Sequence, residues 1–357
     1  MKSQVALVDI REHKNNSLAE GLKLIGGISK LNKSNHDVIL KVGVYSPDSN
    51  HHTTVDVTGQ IIKAFDKARR IYLTESDSYK GTGSDRLLIW KKLFSDTVIP
   101  YNLSEDSDTQ PVKINTDVMD LTLNLPKKLF KPRIFVTTHV FRTYSKGSVL
   151  KNLFGLVPIV KKAKFHKNEI FNTMLPDITE AIGGIDLAVL DGKYLHEGLA
   201  TPVKVKTDLL VVGTDAVAFE TVGYMLLGMK PHKLETIQSF ARRGLGVGDF
   251  ENIKILGASF ETMKGRVAGA LAEAMRLMAE QPRRFSPPKT IDNLIKIGFF
   301  KLPNKRTFDD VMKQLEKDDS RAVDKRAEIL VTLRRRVKGK KLQGEKGPDG
   351  WIFWVEQ

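Results

Sequence analysis

The 357-residue chain has no cysteine, which excludes a disulfide, a thiolate nucleophile, a cysteine-ligated zinc site and an intrinsic cysteine-ligated iron–sulfur cluster. It also lacks any apolar run long enough to cross a bilayer. The opening MKSQVALVDIREHKNN becomes charged before a signal-peptide apolar segment can form. A cytoplasmic protein with no membrane partner is expected. No GxGxxG opens a helix and no GxxxxGK[ST] loop occurs, so a nucleotide cofactor held by the usual glycine-rich turns has no support. HExxH and zinc-type spacings are missing, so a divalent metal would have to be held by dispersed side chains, with His139, His166 and Asp191 as the candidate ligands. Internal repeats and long low-complexity segments are absent.

What is present is the composition of a foldable soluble chain, 41% hydrophobic and 28% charged, with enough length for one large domain and one small one. The net charge of +15 is unevenly spread: from Arg283 onward 19 Lys and Arg face 11 Asp and Glu, so the last 75 residues carry +8. That concentration points to an anionic partner, DNA or an acidic protein, at the C-terminal end.

QPRRFSPPKT at 281–290 packs three prolines and three basic residues between two apolar-periodic regions, and proline both stops helices and stiffens linkers. The expected division is an α/β domain over 1–281, a linker over 282–289 and a small basic domain over 290–357. In the first region VALVDI, DVILKVGVYS, RIYLTESD, RIFVTTHVF, IDLAVLDG, DLLVVGTD and NIKILG read as strands. Helical spacing recurs over 17–30, 55–69, 216–228, 234–243 and 260–280. This alternation predicts an α/β fold with a largely parallel sheet covered on both faces. In the tail, Phe308, Val311, Met312 and Leu315 form one helical stripe and Val323, Ala327, Leu330 and Val337 a second. KKLQGEKGPDGWIFWVEQ then reads as a terminal hairpin, completing a winged-helix pattern.

Ligands of open parallel sheets bind beyond the carboxyl ends of strands, where loops converge and helix N-termini present unpaired N–H groups. Several strands here end in polar chemistry: Lys41 with the His51-His52-Thr53-Thr54 run, Glu75, Thr138 with His139, Asp191 with Glu197, and Asp215. Each has a plainer reading as well. Asp215 directly precedes an apolar helix and can serve as its N-cap. Asp191-Gly192 and Glu197-Gly198 can be turns. His139 is followed by Lys146, Lys151 and Asn152, a basic loop-to-helix segment suited to a carboxylate or phosphate. In the tail, Arg321, Lys325, Arg326 and Arg334 could lie along a DNA groove, with Lys340 and Lys341 on phosphates. Asp318, Asp319, Asp324 and Glu328 crowd the same helix start and oppose that reading.

The succession LKVGVYSPDSNHHTT, ESDSYKGTGS, THVFRTYSKGSVLKNLFGLVP with His166 following, LDGKYLHEGLATP, VVGTDAVAFETVGYMLLG and RRGLGVGDFENIKILG resembles domain-of-unknown-function family 362, over about residues 1–260. The resemblance implies a prokaryotic α/β protein of a kind often carrying, or accompanied by, ferredoxin-type cluster modules, with no general activity attached. Carried over, the recurrent polar positions are Lys41, Thr54, Glu75, Thr138, His139, Lys151, Asn152, His166, Asp191, Glu197, Gly198 and Asp215. Thr137 stands where a lysine is expected, and Glu220 where an aspartate is. Without cysteine, any redox role would need a partner protein. The tail resembles an archaeal type of winged helix-turn-helix.

The expected site therefore gathers His139 as general base or metal ligand with Lys151, Asp191 and Glu197 as the catalytic set. Lys41, Thr54, Glu75, Thr138, Asn152 and Asp215 would bind the ligand. The leading expectation is a protein that binds or transforms a small anionic metabolite, with an accessory winged helix. A ligand-responsive DNA-binding regulator is the second, and a scaffold docking an acidic protein the third.

Overall fold

The computed structural model describes residues 2–45, 51–116, 118–143, 146–159, 162–198, 203–280, 285–348 and 350–356. The chain divides into two compact units, Met1–Glu280 and Gln281–Gln357.

The first unit begins with β1 (Ser3–Asp9), α1 (Ile10–His13), α2 (Ser17–Leu24), β2 (Asp37–Lys41), α3 (Val55–Ala64), β3 (Arg70–Glu75), α4 (Gly83–Leu87) and β4 (Val98–Asn102). A hairpin of β5 (Thr109–Ile114) and β6 (Leu121–Pro126) precedes β7 (Ile134–Arg142), α5 (Val149–Asn152) and α6 (Asn168–Ala181). β8 (Leu187–Glu197), β9 (Val203–Gly213), α7 (Ala216–Leu226), α8 (Glu235–Arg242), β10 (Ile253–Gly257) and α9 (Phe260–Glu280) complete it.

Eight strands form one sheet in the order β10-β1-β9-β8-β7-β2-β3-β4. Every neighbouring pair is parallel except the two made by β9. Apolar residues alternate between two cores. Val5, Leu7, Ile39 and Phe135 face one, with Phe171 of α6 and Phe219 of α7. Ala6, Val8, Leu40 and Val136 face the other, with Leu18 of α2 and Ile61 of α3. A sheet buried on both sides needs near-continuous apolar strands, and β7 is buried at all nine positions. The α/β expectation thus describes the unit.

The sequence reading omitted β4, the β5–β6 hairpin and α6. β4 lies at the sheet edge and contains Pro100, which an edge strand tolerates because one row of its backbone groups needs no ladder partner. Its apolar pattern is correspondingly weak. The hairpin forms a separate two-stranded sheet, so neither the alternation nor the length of the main strands marked it.

Topology places the functional region. From β2 the connections through α3 and α4 step one way, to β3 and β4, while β7 lies on the other side of β2 and leads on to β8. The carboxyl ends of β2 and β7 therefore flank a switch point, the crevice where open α/β sheets bind ligands.

The second unit contains α10 (Pro287–Lys296), β11 (Arg306–Thr307), α11 (Phe308–Asp318), α12 (Arg326–Lys338), β12 (Gln343–Gly347) and β13 (Gly350–Trp354). The proline-rich stretch is helical sooner than expected: Pro287 and Pro288 open α10, where a missing N–H costs nothing and φ is already helical. Residues 281–284 lie outside the described set. A capping box fixes the start of α11, with Thr307 and Asp310 exchanging backbone hydrogen bonds. Its stripe of Val311, Met312 and Leu315 is buried. The second expected stripe is corrected: Val323 and Ala327 are exposed, and α12 buries Ile329, Thr332 and Leu333 instead. The chain over residues 320–325 is a tighter 3-10 turn, so the helical period counted from Val323 is out of phase. β12 and β13 pair antiparallel, and β11 adds a third strand.

Candidate functional site

A pocket of about 270 Å³ opens at the switch point. It is lined by Val44 and Tyr45 after β2, Glu75, Ser78, Tyr79 and Lys80 after β3, and Arg86 on α4. The far wall carries His139 and Arg142 of β7, Lys151, Asn152, Phe154 and Gly155, then Lys162 and His166.

At its floor is Glu75, 2% exposed. One carboxylate oxygen accepts from Lys41 Nζ at 2.6 Å. The other accepts from Arg86 Nη1 and from the Ser76 N–H, both at 2.9 Å. Burial alone would raise the Glu75 pKa, but Arg86, Lys41 and Lys162 outweigh it and hold the carboxylate below its ordinary range. Lys41 Nζ also donates to Val42 O and Asn152 Oδ1, at 2.8 and 3.1 Å. This close packing needs Gly155, since a Cβ there would lie 2.6 Å from Lys41 Nζ.

Asn152 ties the walls together. Its side-chain amide donates to Lys41 O at 3.1 Å and to Thr138 O at 3.0 Å, joining α5 to the ends of β2 and β7. α5 is held from behind: Glu220 of α7 accepts from the Ser148 and Leu150 N–H groups at 2.6 and 3.0 Å. The Glu220 that replaces an expected aspartate thus anchors the segment carrying Lys151 and Asn152.

His139 is 5% exposed. Gly43 makes room for it, since a Cβ there would lie 2.6 Å from the ring. Its Nδ1 accepts the Val140 N–H at 2.8 Å, so the hydrogen of the neutral ring is assigned to Nε2. Burial, then Arg142, Lys151, His51 and Lys41, push its pKa well below the usual histidine range. The ring is therefore neutral at pH 7, with Nε2 as its donor. His166 packs against the Phe154 and Phe171 rings at 4.5 and 5.3 Å between centroids. Burial, then Lys151 and Lys146, lower it to about 4.

The remaining charge is positive. Burial, then Arg142 and Lys41, push the Lys151 pKa well below the ordinary amine range, against the opposing pull of Glu75. Lys162 donates to Ser76 Oγ at 2.6 Å and Val157 O at 3.1 Å. Burial lowers it to about 8, with Glu75 opposing.

Of the expected residues, Glu75, His139, Lys151, Asn152 and His166 line this pocket and Lys41 braces it from behind. Thr138 contributes its carbonyl to Asn152, while its buried hydroxyl has no hydrogen-bond partner among the described residues. The other carboxylates do not converge here, and the expectation of a common acidic hollow is corrected. Asp191 Oδ2 accepts the Thr54 N–H at 2.7 Å, fixing the start of α3, which the Thr54 side chain caps. Glu197 accepts from the Thr143 hydroxyl and from the Gly198 N–H. Asp215 caps α7 through Val217 and Ala218 N–H and also accepts from Ser3 Oγ and Val247 N–H. Each of the three accepts at least one backbone N–H outside the pocket. Among the described residues no group of three or more His, Asp or Glu side chains is arranged to hold a metal ion. Asp191 does not line the pocket that holds His139 and His166.

Arg86, Arg142, Lys162 and the aromatic mouth of Tyr45 and Tyr79, whose hydroxyls lie 2.9 Å apart, were missed. His139 and Arg142 are three residues apart, which places them on opposite faces of an unbroken strand. The register of β7 against β8 shifts between Val140 and Phe141, and both side chains line the pocket. Period-2 reasoning has no signal for such an irregularity.

The class defined by these features is a largely parallel α/β protein with a cation-lined pocket at its switch point. A family model described as domain of unknown function (DUF362) matches residues 38–225. That is more than half of the chain, and the chain belongs to this family. The matched stretch contains every residue lining the pocket. No curated protein matches the chain. Among the described residues no helix is long and apolar enough to cross a membrane.

Proposed function

We propose that the switch-point pocket binds a small anionic metabolite. One observation carries this reading: Lys80, Arg86, Arg142, Lys151 and Lys162 line the pocket while Glu75 is its only lining carboxylate among the described residues. Glu75 is already engaged by Lys41 and Arg86. A pocket lined mainly by cations attracts anionic ligands in preference to neutral or cationic ones. The volume lies near the lower end of ligand sites, which suits a small metabolite. The neutral His139 would donate from Nε2, and the Lys151 ammonium would be restored by the incoming negative charge.

Replacement of Arg142 or Lys151 by alanine, or His139 by glutamine, should each weaken binding of inorganic phosphate or a small carboxylate by about tenfold or more. That is the worth of one hydrogen bond to a charged group, ~1.5–3 kcal/mol. Isothermal titration with a circular-dichroism check of folding measures it. Undiminished affinity in all three folded variants would place the site elsewhere.

The C-terminal unit we read as a winged-helix-like accessory domain that docks an acidic protein, from its three helices followed by a β-hairpin. Its exposed cations favour docking over DNA reading. Arg321 pairs with Asp319 and Lys325 with Glu328, each at 2.6 Å, and Arg326 pairs with Asp309. Arg334 stacks over Trp351 at 5.4 Å. Lys340 and Lys341 remain exposed. Neighbouring carboxylates would repel phosphates and reduce the counterions released on binding. The full chain should therefore bind duplex DNA no tighter than non-specifically, roughly 10⁻⁴–10⁻⁶ M at physiological salt. Sequence-selective binding in the nanomolar range would instead establish the regulator reading.

A further inference from the structure

We propose that the face of α12 beside β13 is a docking groove for an acidic segment of a partner protein, one that presents a bulky apolar side chain between carboxylates. This rests on the acidic-partner reading above and places the contact on named residues.

A groove of about 420 Å³ lies between the two elements, lined by Val331, Arg334, Arg335, Val337, Lys338 and Trp351. Val331, Arg334, Arg335 and Lys338 are spaced i, i+3, i+4 and i+7, so they share one side of the helix. The other side is already used: Ile329, Thr332 and Leu333 are buried, and Arg336 pairs with Asp292 at 2.7 Å. Val331 is 45% exposed. Trp351 is half-buried and stacked on the buried Phe353, and Arg334 lies over its ring at 5.4 Å.

Charge is divided along the helix. At its start the cations are matched, Lys325 by Glu328 and Arg326 by Asp309. In the groove Arg334, Arg335 and Lys338 are met by no lining carboxylate among the described residues. Cations in the last turns of a helix suit its dipole, and that alone would account for the charge. It gives no reason for Val331 and Trp351 to stand open among them. An apolar floor ringed by cations, with a tryptophan and an arginine in contact, is the composition of an interface hot spot. The floor also selects among anionic partners. Phosphates of a nucleic acid or a bilayer would meet the cations and leave the apolar floor unfilled. A leucine or aromatic side chain between Asp or Glu residues satisfies both.

The test is selection from a random peptide library on the full-length protein, followed by fluorescence anisotropy of the enriched peptides. The expected consensus is acidic, with a leucine, phenylalanine or tryptophan among the carboxylates. Arg334→Glu combined with Arg335→Glu should weaken binding by about tenfold or more, since opposite charges across the interface become like ones. Val331→Ser should weaken it by about threefold through lost apolar contact. All three positions are exposed, so the variants are expected to fold, which circular dichroism checks. Peptides with lysine in place of their acidic residues should bind the charge-reversed variant more tightly than wild type, a recovery that a merely structural role would not give. Acidic peptides that bind wild type and all variants alike overturn the groove and leave the acidic-partner reading standing at another surface. Enrichment of peptides without acidic residues, or of none, overturns both. Duplex DNA that displaces the enriched peptides at comparable concentrations assigns the face to nucleic acid and overturns the proposal.

Discussion

Glu75→Gln is expected to destabilise the α/β unit by about 3–5 kcal/mol, the usual cost of stranding one member of a buried ion pair. The wild-type carboxylate sits between Lys41 at 2.6 Å and Arg86 at 2.9 Å, and all three side chains are almost fully buried. The amide keeps the shape and some hydrogen bonds but removes the only negative charge lining the pocket among the described residues, leaving Lys41, Arg86 and Lys162 facing one another. Urea unfolding measures the loss. A change below about 1 kcal/mol would show that water, rather than Glu75, compensates these cations. Adding Lys41→Met to Glu75→Gln should recover part of the loss, because the double variant no longer buries that unpaired ammonium; such coupling is what a double-mutant cycle isolates. The same variant should bind inorganic phosphate more tightly than wild type, since the anion then takes over the missing counter-charge. Opposite effects on stability and on affinity are a signature that a merely structural carboxylate would not give.

The second large effect is unfolding in mild acid, beginning near pH 6. His51 and His196 are 1% and 3% exposed, with rings 5.0 Å apart. Burial holds His51 at about 4, helped by Arg142, Lys204 and His52. Burial holds His196 at about 3, helped by His51, Lys204, His52 and Arg142. His166 lies at about 4 through burial, Lys151 and Lys146. In the unfolded chain each titrates near 6.5. Folded values below unfolded ones mean that the unfolded state binds more protons between these limits. The histidines' contribution is therefore fully present above about pH 6.5 and is lost as pH falls toward 4. His51 and His196 each contribute about 1.4 kcal/mol per pH unit in that window, and the half-buried His166 less because water screens it. Together they would consume a stability near the lower end of the typical 5–15 kcal/mol within about two to three units. Circular dichroism from pH 7 to 3.5 should show a cooperative midpoint between pH 5 and 4. Stability that stays flat down to pH 4 would contradict the neutral buried state of these rings, because carboxylates held by cations lose their contribution only lower still.

The residues of the pocket differ in how far they were legible. Glu75, His139, Lys151 and Asn152 could be found because each lies toward the carboxyl end of an apolar strand or in the short helix that follows one, and a parallel sheet puts such positions at one rim. Asp191, Glu197 and Asp215 satisfied the same rule and yet bond to backbone N–H groups, at Thr54, Gly198 and Val217. A strand-end carboxylate is taken up by whichever N–H the fold brings to it, near in sequence or far, and spacing carries no trace of that choice. Arg86 and Lys162 went unnoticed for the converse reason. They sit in ordinary-looking polar segments, and only the folding of those segments over Glu75 gives them a function.

The sequence by itself determined the two-sided α/β sheet, the hairpin at the C-terminus, the exclusion of cysteine chemistry and the basic balance. These follow from periodicity and composition, which act over a few residues or over the whole chain. The tertiary structure alone decided which charges meet. Strand order β7-β2-β3 brings Arg142, Lys41 and Glu75 together across 101 positions of sequence, and a register shift in β7 turns an arginine into the same space as a histidine. Coulomb energy and desolvation depend on separation in space, and separation along the chain does not encode it.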